Sequence, residues 1–324
     1  MTKEKIELGI SLNNNCNFHC RMCHIWRQEQ GENKLDFSKC SKLIDDLEMF
    51  EVKGVRLSGG DPFLVPWALD LAYYISSKKG YHVVATTNGS MIDELFAKRI
   101  AASGVSSLNL SLDAYTAGTH DAIRGMPGSH QRILRAIDYM SSKSDQIRIG
   151  INTVFSNLNL DEVIPLTEMV GKDKRIDHIY FMAVMQPFGT NPDPEWFLKK
   201  EFSSLWPQDS VKVGNILDQL VCLKEKGCKV NNSFAQIRTF KDYFKDPLNF
   251  TKKNKCNLGK EAVEVNQSGD VYLCYYYGSI GNIFNDSLFN IWNSEKANQI
   301  RRKIEDCRQN CNLLVNCYFE DENV

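Results

Sequence analysis

Six short apolar runs recur through the first 184 residues, at 6–12, 52–57, 81–87, 107–112, 147–155 and 179–184, and each reads as a strand. Between them lie stretches with apolar residues at helical spacing, at 36–49, 67–77, 91–102, 131–141 and 161–170. This alternation constrains the fold more than any other feature, because parallel strands must be joined by crossovers long enough to hold a helix. In the first helical stretch Asp36 occupies the N-cap position, and Leu43, Ile44, Leu47 and Phe50 share one face. A polar connection through Arg124-Gly125-Met126-Pro127-Gly128 precedes the helix at 131–141. Six such units predict an α/β fold, a partial TIM-like (β/α)6 barrel short of the closed eight. Its chemistry should sit on the loops that follow the strands.

The repeat stops at residues 187–207, where four prolines mark a long connection. A last long helix is expected at 211–225. Beyond residue 231 the pattern changes to a helix at 234–244 and two short runs, 262–265 and 271–275, around Gln267-Ser268-Gly269-Asp270. That is a β-hairpin signal, and a final helix is expected at 295–305. The boundary is placed near residue 230, with the barrel over 1–230 and a small α+β domain of hairpin and helices over 231–324.

With 39 basic and 40 acidic side chains the net charge is −1, so no basic field argues for nucleic acid and no acidic excess for disorder. Arg301-Arg302-Lys303 and the lysines at 252–255 read as solvated faces. Neither an apolar signal core nor a run of about twenty apolar residues is present, which predicts a cytoplasmic protein with no membrane association. Eleven cysteines in a reducing compartment point to metal ligation before disulfides. Cys40, Cys222 and Cys228 fall in or near amphipathic helices and read as small buried residues.

Three of the thiols crowd into Cys16-Asn17-Phe18-His19-Cys20-Arg21-Met22-Cys23, immediately after the first strand. Thiolates select zinc or iron–sulfur clusters. A structural zinc site closes with four protein ligands, and four-iron clusters ordinarily take four cysteines. Three thiols would leave one iron open; His19 or His24 could instead complete a zinc site, and a purely structural thiol group is the blander alternative.

A Cys-x3-Cys-x2-Cys loop after a first strand resembles the signature of the radical S-adenosylmethionine (radical SAM) superfamily. The resemblance implies that Cys16, Cys20 and Cys23 hold a [4Fe–4S] cluster whose fourth iron is chelated by SAM. It implies one-electron cleavage of SAM to methionine and a 5′-deoxyadenosyl radical, which abstracts a hydrogen atom from substrate carbon. An external one-electron donor such as flavodoxin or ferredoxin would supply the electron. Ser58-Gly59-Gly60-Asp61-Pro62 follows strand two where the family carries a Gly-Gly-Glu-like segment near the SAM amino group, with Asp61 here one methylene shorter. By the same resemblance, Ser111 and Asp113 at the end of strand four would contact the ribose or carboxylate of SAM. Arg124, in His120-Asp121-Ala122-Ile123-Arg124-Gly125, would pair with the carboxylate, and Asn152 would reach the ribose. For Thr87, Asn88 and Asn152, hydrogen bonding at a strand end is the alternative to ligand contact.

Cys256, Cys274, Cys307, Cys311 and Cys317 resemble the SPASM/twitch extensions that hold auxiliary clusters. The tail Cys307-x3-Cys311-x5-Cys317 is shorter than in full SPASM extensions. Five thiols fill one four-iron site with one left over, so one auxiliary [4Fe–4S] cluster is expected, with a zinc site as the alternative. Tyr275 stands where sulfatase-maturing relatives carry an acidic base, and a phenol with a reference pKa of about 10 is a poor substitute. Tyr275-Tyr276-Tyr277 would line a pocket or pack in the core.

The resemblance implies oxidation or epimerisation of a small metabolite, such as an aminoglycoside-like sugar, or of a peptide. Only five residues precede the first strand, which leaves no room there for a leader-peptide-binding domain and favours a small substrate or a separate recognition partner. The rival of another class is a non-catalytic iron–sulfur or zinc protein, for which Gly59, Gly60, Asp61 and Arg124 would be incidental.

Overall fold

β1 (Lys5–Ser11), β2 (Glu51–Ser58), β3 (Val83–Thr87), β4 (Ser107–Ser111), β5 (Arg148–Phe155) and β6 (His178–Ala183) lie side by side in parallel, in sequence order. They are seen in a computed structural model that describes residues 3–28, 35–191, 193–248, 256 and 258–307. Leu8, Ile10, Val55, Leu57, Leu108 and Leu110 alternate along these strands and are all fully buried. The crossovers are α1 (Phe37–Asp46), α2 (Ala68–Tyr73), α3 (Glu94–Ala102), α4 (Ala117–Arg124), α5 (Ser129–Lys143) and α6 (Val163–Lys172). Asp36 caps α1 by accepting from the Lys39 N–H at 2.8 Å, and Asp93 caps α3 through Phe96 N–H at 2.7 Å; such caps contribute about 1 kcal/mol each.

Within the barrel, one helix departs from expectation. The polar connection before α5 contains α4, a full helix ending at Gly125, which takes the left-handed φ of 61°. Its inward face carries His120, Ile123 and Arg124, so polar residues occupy positions where a periodicity argument looks for apolar ones.

α7 (Ser210–Glu225) and α8 (Phe234–Lys245) follow, then α9 (Leu258–Glu261), β7 (Ala262–Val265), β8 (Asp270–Tyr272), β9 (Gly281–Asn282), α10 (Leu288–Trp292) and α11 (Glu295–Glu305). β7 and β8 form the expected hairpin. β7 also pairs in parallel with β1, giving among the described residues one nine-stranded sheet of order β6-β5-β4-β3-β2-β1-β7-β8-β9. The sheet therefore continues across residue 230. Glu4 receives a hydrogen bond from the Trp292 indole, and Asp46 Oδ2 accepts from Leu288 N–H at 2.7 Å, so α10 is tied to the barrel. At the other edge, the Asn232 carboxamide accepts from Phe181 N–H at 2.7 Å and donates to Phe181 C=O at 2.8 Å. It stands in for a peptide unit and blunts that edge of the sheet. No helix among the described residues is long and apolar enough to cross a membrane.

Gly9 leaves the space that the Glu264 side chain occupies over the β1–β7 pairing. Gly9 is opposite Arg56 on one side and Glu264 on the other, and the Arg56 guanidinium pairs with the Glu264 carboxylate across it. A Cβ at Gly9 would overlap that carboxylate, lying 2.5 Å from Glu264 Cδ. Gly9→Ala is expected to displace the ion pair and cost about 1–3 kcal/mol, as overpacking does. Urea denaturation checks this; a midpoint equal to wild type would show that Glu264 yields without cost.

Candidate cluster and cofactor site

The cysteine loop leaves β1 and is stitched to the turn after β2. Leu12 N–H donates to Ser58 C=O at 2.9 Å, Gly60 N–H to Asn13 C=O at 2.8 Å, and Asp61 N–H to Asn15 C=O at 2.8 Å. Gly59, at φ 135°, and Gly60 are the closest points of this contact; a Cβ on Gly60 would overlap Asn15 C=O and stand 3.0 Å from Asn14 C. The loop is held on a second side by Arg21 N–H donating to Ile123 C=O at 2.9 Å. The long connection covers a third side, with His24 N–H bonded to Phe188 C=O at 3.0 Å and Arg21 Nη2 donating to Ser204 Oγ at 3.1 Å. That connection is anchored by buried Trp196, Phe197, Phe202 and Trp206.

Cys20 is buried, and Cys16 and Cys23 are half-buried. Burial pushes all three thiols up, Cys23 to about 11; Cys20 also raises Cys16, and Cys20 and Cys16 raise Cys23, whereas Arg124 pulls Cys20 down and Asp113 pushes it up. Thiols in such surroundings ionise when a metal supplies positive charge. Among the described residues no three Cys, His, Asp or Glu side chains close on a single metal ion. His19 instead packs on Trp26 with ring centroids 4.5 Å apart, and His24 on Phe202 at 5.4 Å. With both neighbouring histidines packed on aromatic rings, the three thiols are the donor set at this loop, and thiolates are ligands of iron–sulfur centres and of zinc. Two side chains point donors at them: Asn88 Nδ2 lies 3.7 Å from Cys16 Sγ, and Arg124 Nη1 lies 3.8 Å from Cys20 Sγ.

The remaining expected site residues divide into two sets. Ser111 and Asn152 stand opposite each other across β4 and β5, half-buried. Asp61 and Asp113 turn inward. Asp61 is fully buried and accepts from Phe63 N–H (3.0 Å), Thr87 Oγ1–H (2.7 Å) and Asn88 N–H (2.8 Å), so it ties the Gly-Gly turn to the end of β3. Asp113 pairs with Arg124 at 2.6 Å, a charge contact whose angle is poor for a hydrogen bond, and accepts from Val154 N–H at 2.9 Å. His120, missed as part of this unit, accepts from Asp113 N–H at Nδ1 (3.1 Å); burial, then Arg124 and His130, lower it to about 3, so the ring is neutral. Only a buried polar periodicity in α4 could have revealed it.

The second thiol group also converges. Cys256 and Cys307 both act on Cys274 electrostatically, adding to the burial that raises it. Cys311 and Cys317 lie outside the described residues. Cys40 is fully buried and its thiol is pushed up to about 12, whereas Cys222 is exposed, because its position in α7 faces away from buried Val213, Ile216, Leu217 and Leu220. Tyr275 and Tyr276 are 47% and 39% exposed rather than packed in the core, and the Tyr275 ring lies 5.1 Å from that of Tyr272. Although the ring is half exposed, desolvation of its hydroxyl and then the Glu264 charge push the Tyr275 phenol up, away from any role as a base at neutral pH. Sequence reasoning also passed over the group beside it, Arg56 between Glu264 and Glu7, the latter at 3.5 Å.

A parallel barrel with one thiol loop after its first strand and a second thiol group on a sheet extension defines an iron–sulfur protein built around an α/β barrel. Residues 10–170 match the radical SAM superfamily, and residues 256–318 match an iron–sulfur cluster-binding domain of the SPASM type. The chain belongs to the radical SAM superfamily and is a radical SAM enzyme with a SPASM domain; two [4Fe–4S] clusters and SAM are its cofactors, and the two thiol groups fit them. It is 26% identical over 311 residues to an AdoMet-dependent heme synthase of Methanosarcina barkeri, covering 95% of this chain and 86% of that one. It is 28% identical over 301 residues to the mycofactocin maturase MftC of Mycobacterium tuberculosis, covering 88% and 70%. In fold it resembles Streptococcus suis SuiB bound to S-adenosylmethionine, with a TM-score of 0.72 at 16% identity over 92% of this chain and 68% of that one. It also resembles anSMEcpe with bound AdoMet and Cp18Cys peptide, with a TM-score of 0.64 at 18% identity over 91% and 82%.

Proposed function

We propose that this radical SAM enzyme oxidises or epimerises a peptide at carbon, in the cytoplasm, with flavodoxin or ferredoxin as electron donor. Cys16, Cys20 and Cys23 would hold the SAM-binding cluster. Cys256, Cys274 and Cys307 would hold the auxiliary one, with Cys311 or Cys317 completing it. When bound, the first cluster and SAM supply a carbon-centred radical that removes a hydrogen atom from substrate carbon. Gly59 and Gly60 would offer backbone, and Ser111 and Asn152 side chains, to SAM. Arg124 would keep its guanidinium beside Cys20, and the covering segment around Phe188 and Phe202 would exclude water.

The observation that carries the peptide reading is the wall formed by Glu7, Arg56 and Glu264. Arg56 lies three residues before Gly59, in the strand whose turn is bonded to the first thiol loop, and Tyr275, which its charge reaches, follows Cys274 of the second thiol group in sequence. One guanidinium there faces two carboxylates. Such a wall accepts amide, hydroxyl or ammonium groups and disfavours the several carboxylates of a haem precursor. Two proteins of like fold are seen with peptides, SuiB with its precursor peptide SuiA and anSMEcpe with Cp18Cys peptide.

The test offers the reconstituted protein, with SAM and dithionite, three carbon-deuterated probes: tryptic peptides from a deuterated cell extract, iron coproporphyrin and an aminoglycoside. Deuterium in 5′-deoxyadenosine from the peptides alone is expected. Transfer from the tetrapyrrole or the sugar, with none from peptides, would overturn the peptide reading.

A further inference from the structure

Asn88 follows β3 directly and carries a carboxamide whose orientation is set by its neighbours. Its Oδ1 accepts from Ser90 N–H at 2.9 Å, which leaves Nδ2 to face Asn17 Oδ1 at 3.0 Å and Cys16 Sγ at 3.7 Å. Its own backbone N–H is held by fully buried Asp61 at 2.8 Å, and Thr87 Oγ1–H donates to the same carboxylate oxygen at 2.7 Å. Asp61, in the Gly-Gly-Asp turn, thus helps hold the residue whose N–H donor faces the Cys16 thiol. Arg124 Nη1 likewise faces Cys20 at 3.8 Å, but that side chain is also committed to Asp113.

We propose that Asn88 sets the reduction potential of the cluster held by Cys16, Cys20 and Cys23, with Asp61 as the positioning residue behind it. The inference rests on that cluster assignment. A hydrogen bond to a coordinating sulfur stabilises negative charge there, and the reduced cluster carries one electron more than the oxidised one. The bond therefore favours the reduced state and raises the potential. Without it, an external one-electron donor would deliver its electron against a larger difference. In this role Asn88 acts through the sulfur of Cys16.

The experiment is a potentiometric titration of the anaerobically reconstituted full chain, following the reduced cluster whose electron paramagnetic resonance signal changes when SAM is added. Asn88→Leu keeps the approximate shape and removes the donor. It should retain its iron while its reduction equilibrium falls about tenfold, a shift of about 59 mV to the negative for one electron. Gly118→Ala, which adds a methyl with nothing within 4 Å of it, is the control and should titrate at the wild-type potential. Asn88→Leu with full iron and the wild-type potential overturns the proposal, whereas failure to bind iron at the cysteine loop even in wild type overturns the cluster assignment beneath it. Should Asn88→Leu lose its iron, wild-type protein labelled with nitrogen-15 at the asparagine side-chain amides decides. A nitrogen-15 coupling to the reduced cluster supports the proposal, and its absence overturns it.

Discussion

Gly60→Ala is expected to empty the first cluster site while leaving the second filled, taking the iron content from about eight to about four per chain and abolishing SAM cleavage. Gly60 does not adopt a positive φ, so alanine is compatible with its backbone conformation. The obstacle is space. The added methyl would overlap Asn15 C=O, and that carbonyl already accepts the Asp61 N–H. Its neighbour Cys16 begins the thiol loop, so relief of the overlap must move the loop. The overlap meets backbone, which cannot rotate away as a side chain would, and a cost of about 1–3 kcal/mol in stability accompanies it. Gly118→Ala, in α4 with nothing within 4 Å of its Cβ position, is the control and should leave iron content unchanged. Iron and sulfide assays on both variants check this; full iron in Gly60→Ala would show that the turn after β2 does not hold the loop.

Arg124→Ala should lower stability more than any other change outside the apolar core, by about 3–5 kcal/mol, the usual cost of leaving one partner of a buried ion pair alone. Arg124 is 11% exposed at its side chain and Asp113 is 0% exposed. Asp113 cannot turn to water, because its other oxygen accepts Val154 N–H and its C=O accepts Asn159 Nδ2 at 2.7 Å. The same change removes the donor beside Cys20. The double variant Arg124→Met/Asp113→Asn removes both charges and should recover most of the stability without recovering SAM cleavage. Thermal melts of the single and double variants separate the two effects; equal losses in both would show that the pair itself is not what stabilises α4 against the loop.

The six barrel strands and the hairpin were legible because each rests on a local pattern, whereas β9 and α10 were not expected. The alternation in β4, Ser107 to Ser111, needs no partner to be read. The pairing of β7 with β1 was not legible, because a parallel pairing of residues 7–10 with 262–265 leaves no local mark except Gly9, and one glycine has many explanations. α4 was hidden by His120 and Arg124 on its buried face. In the candidate site, residue types were readable and directions were not. Asp61 and Asp113 were expected to face a ligand, yet both turn toward protein donors, a distinction that depends on where Thr87, Val154 and Arg124 arrive in space. Cys307 had no local signal separating it from its neighbours in sequence; the C-terminal end of α11 places it near Cys274.

The central claim, a SAM-cleaving cluster on the first loop and an auxiliary cluster on the sheet extension, is met most directly by counting iron and 5′-deoxyadenosine together. The wild-type chain and Cys16→Ala/Cys20→Ala/Cys23→Ala would be reconstituted without oxygen and incubated with dithionite and SAM. The expected result is about eight irons with 5′-deoxyadenosine formation in the wild type, and about four irons with none in the triple variant. Zinc in place of iron and no 5′-deoxyadenosine from the wild-type chain would contradict it.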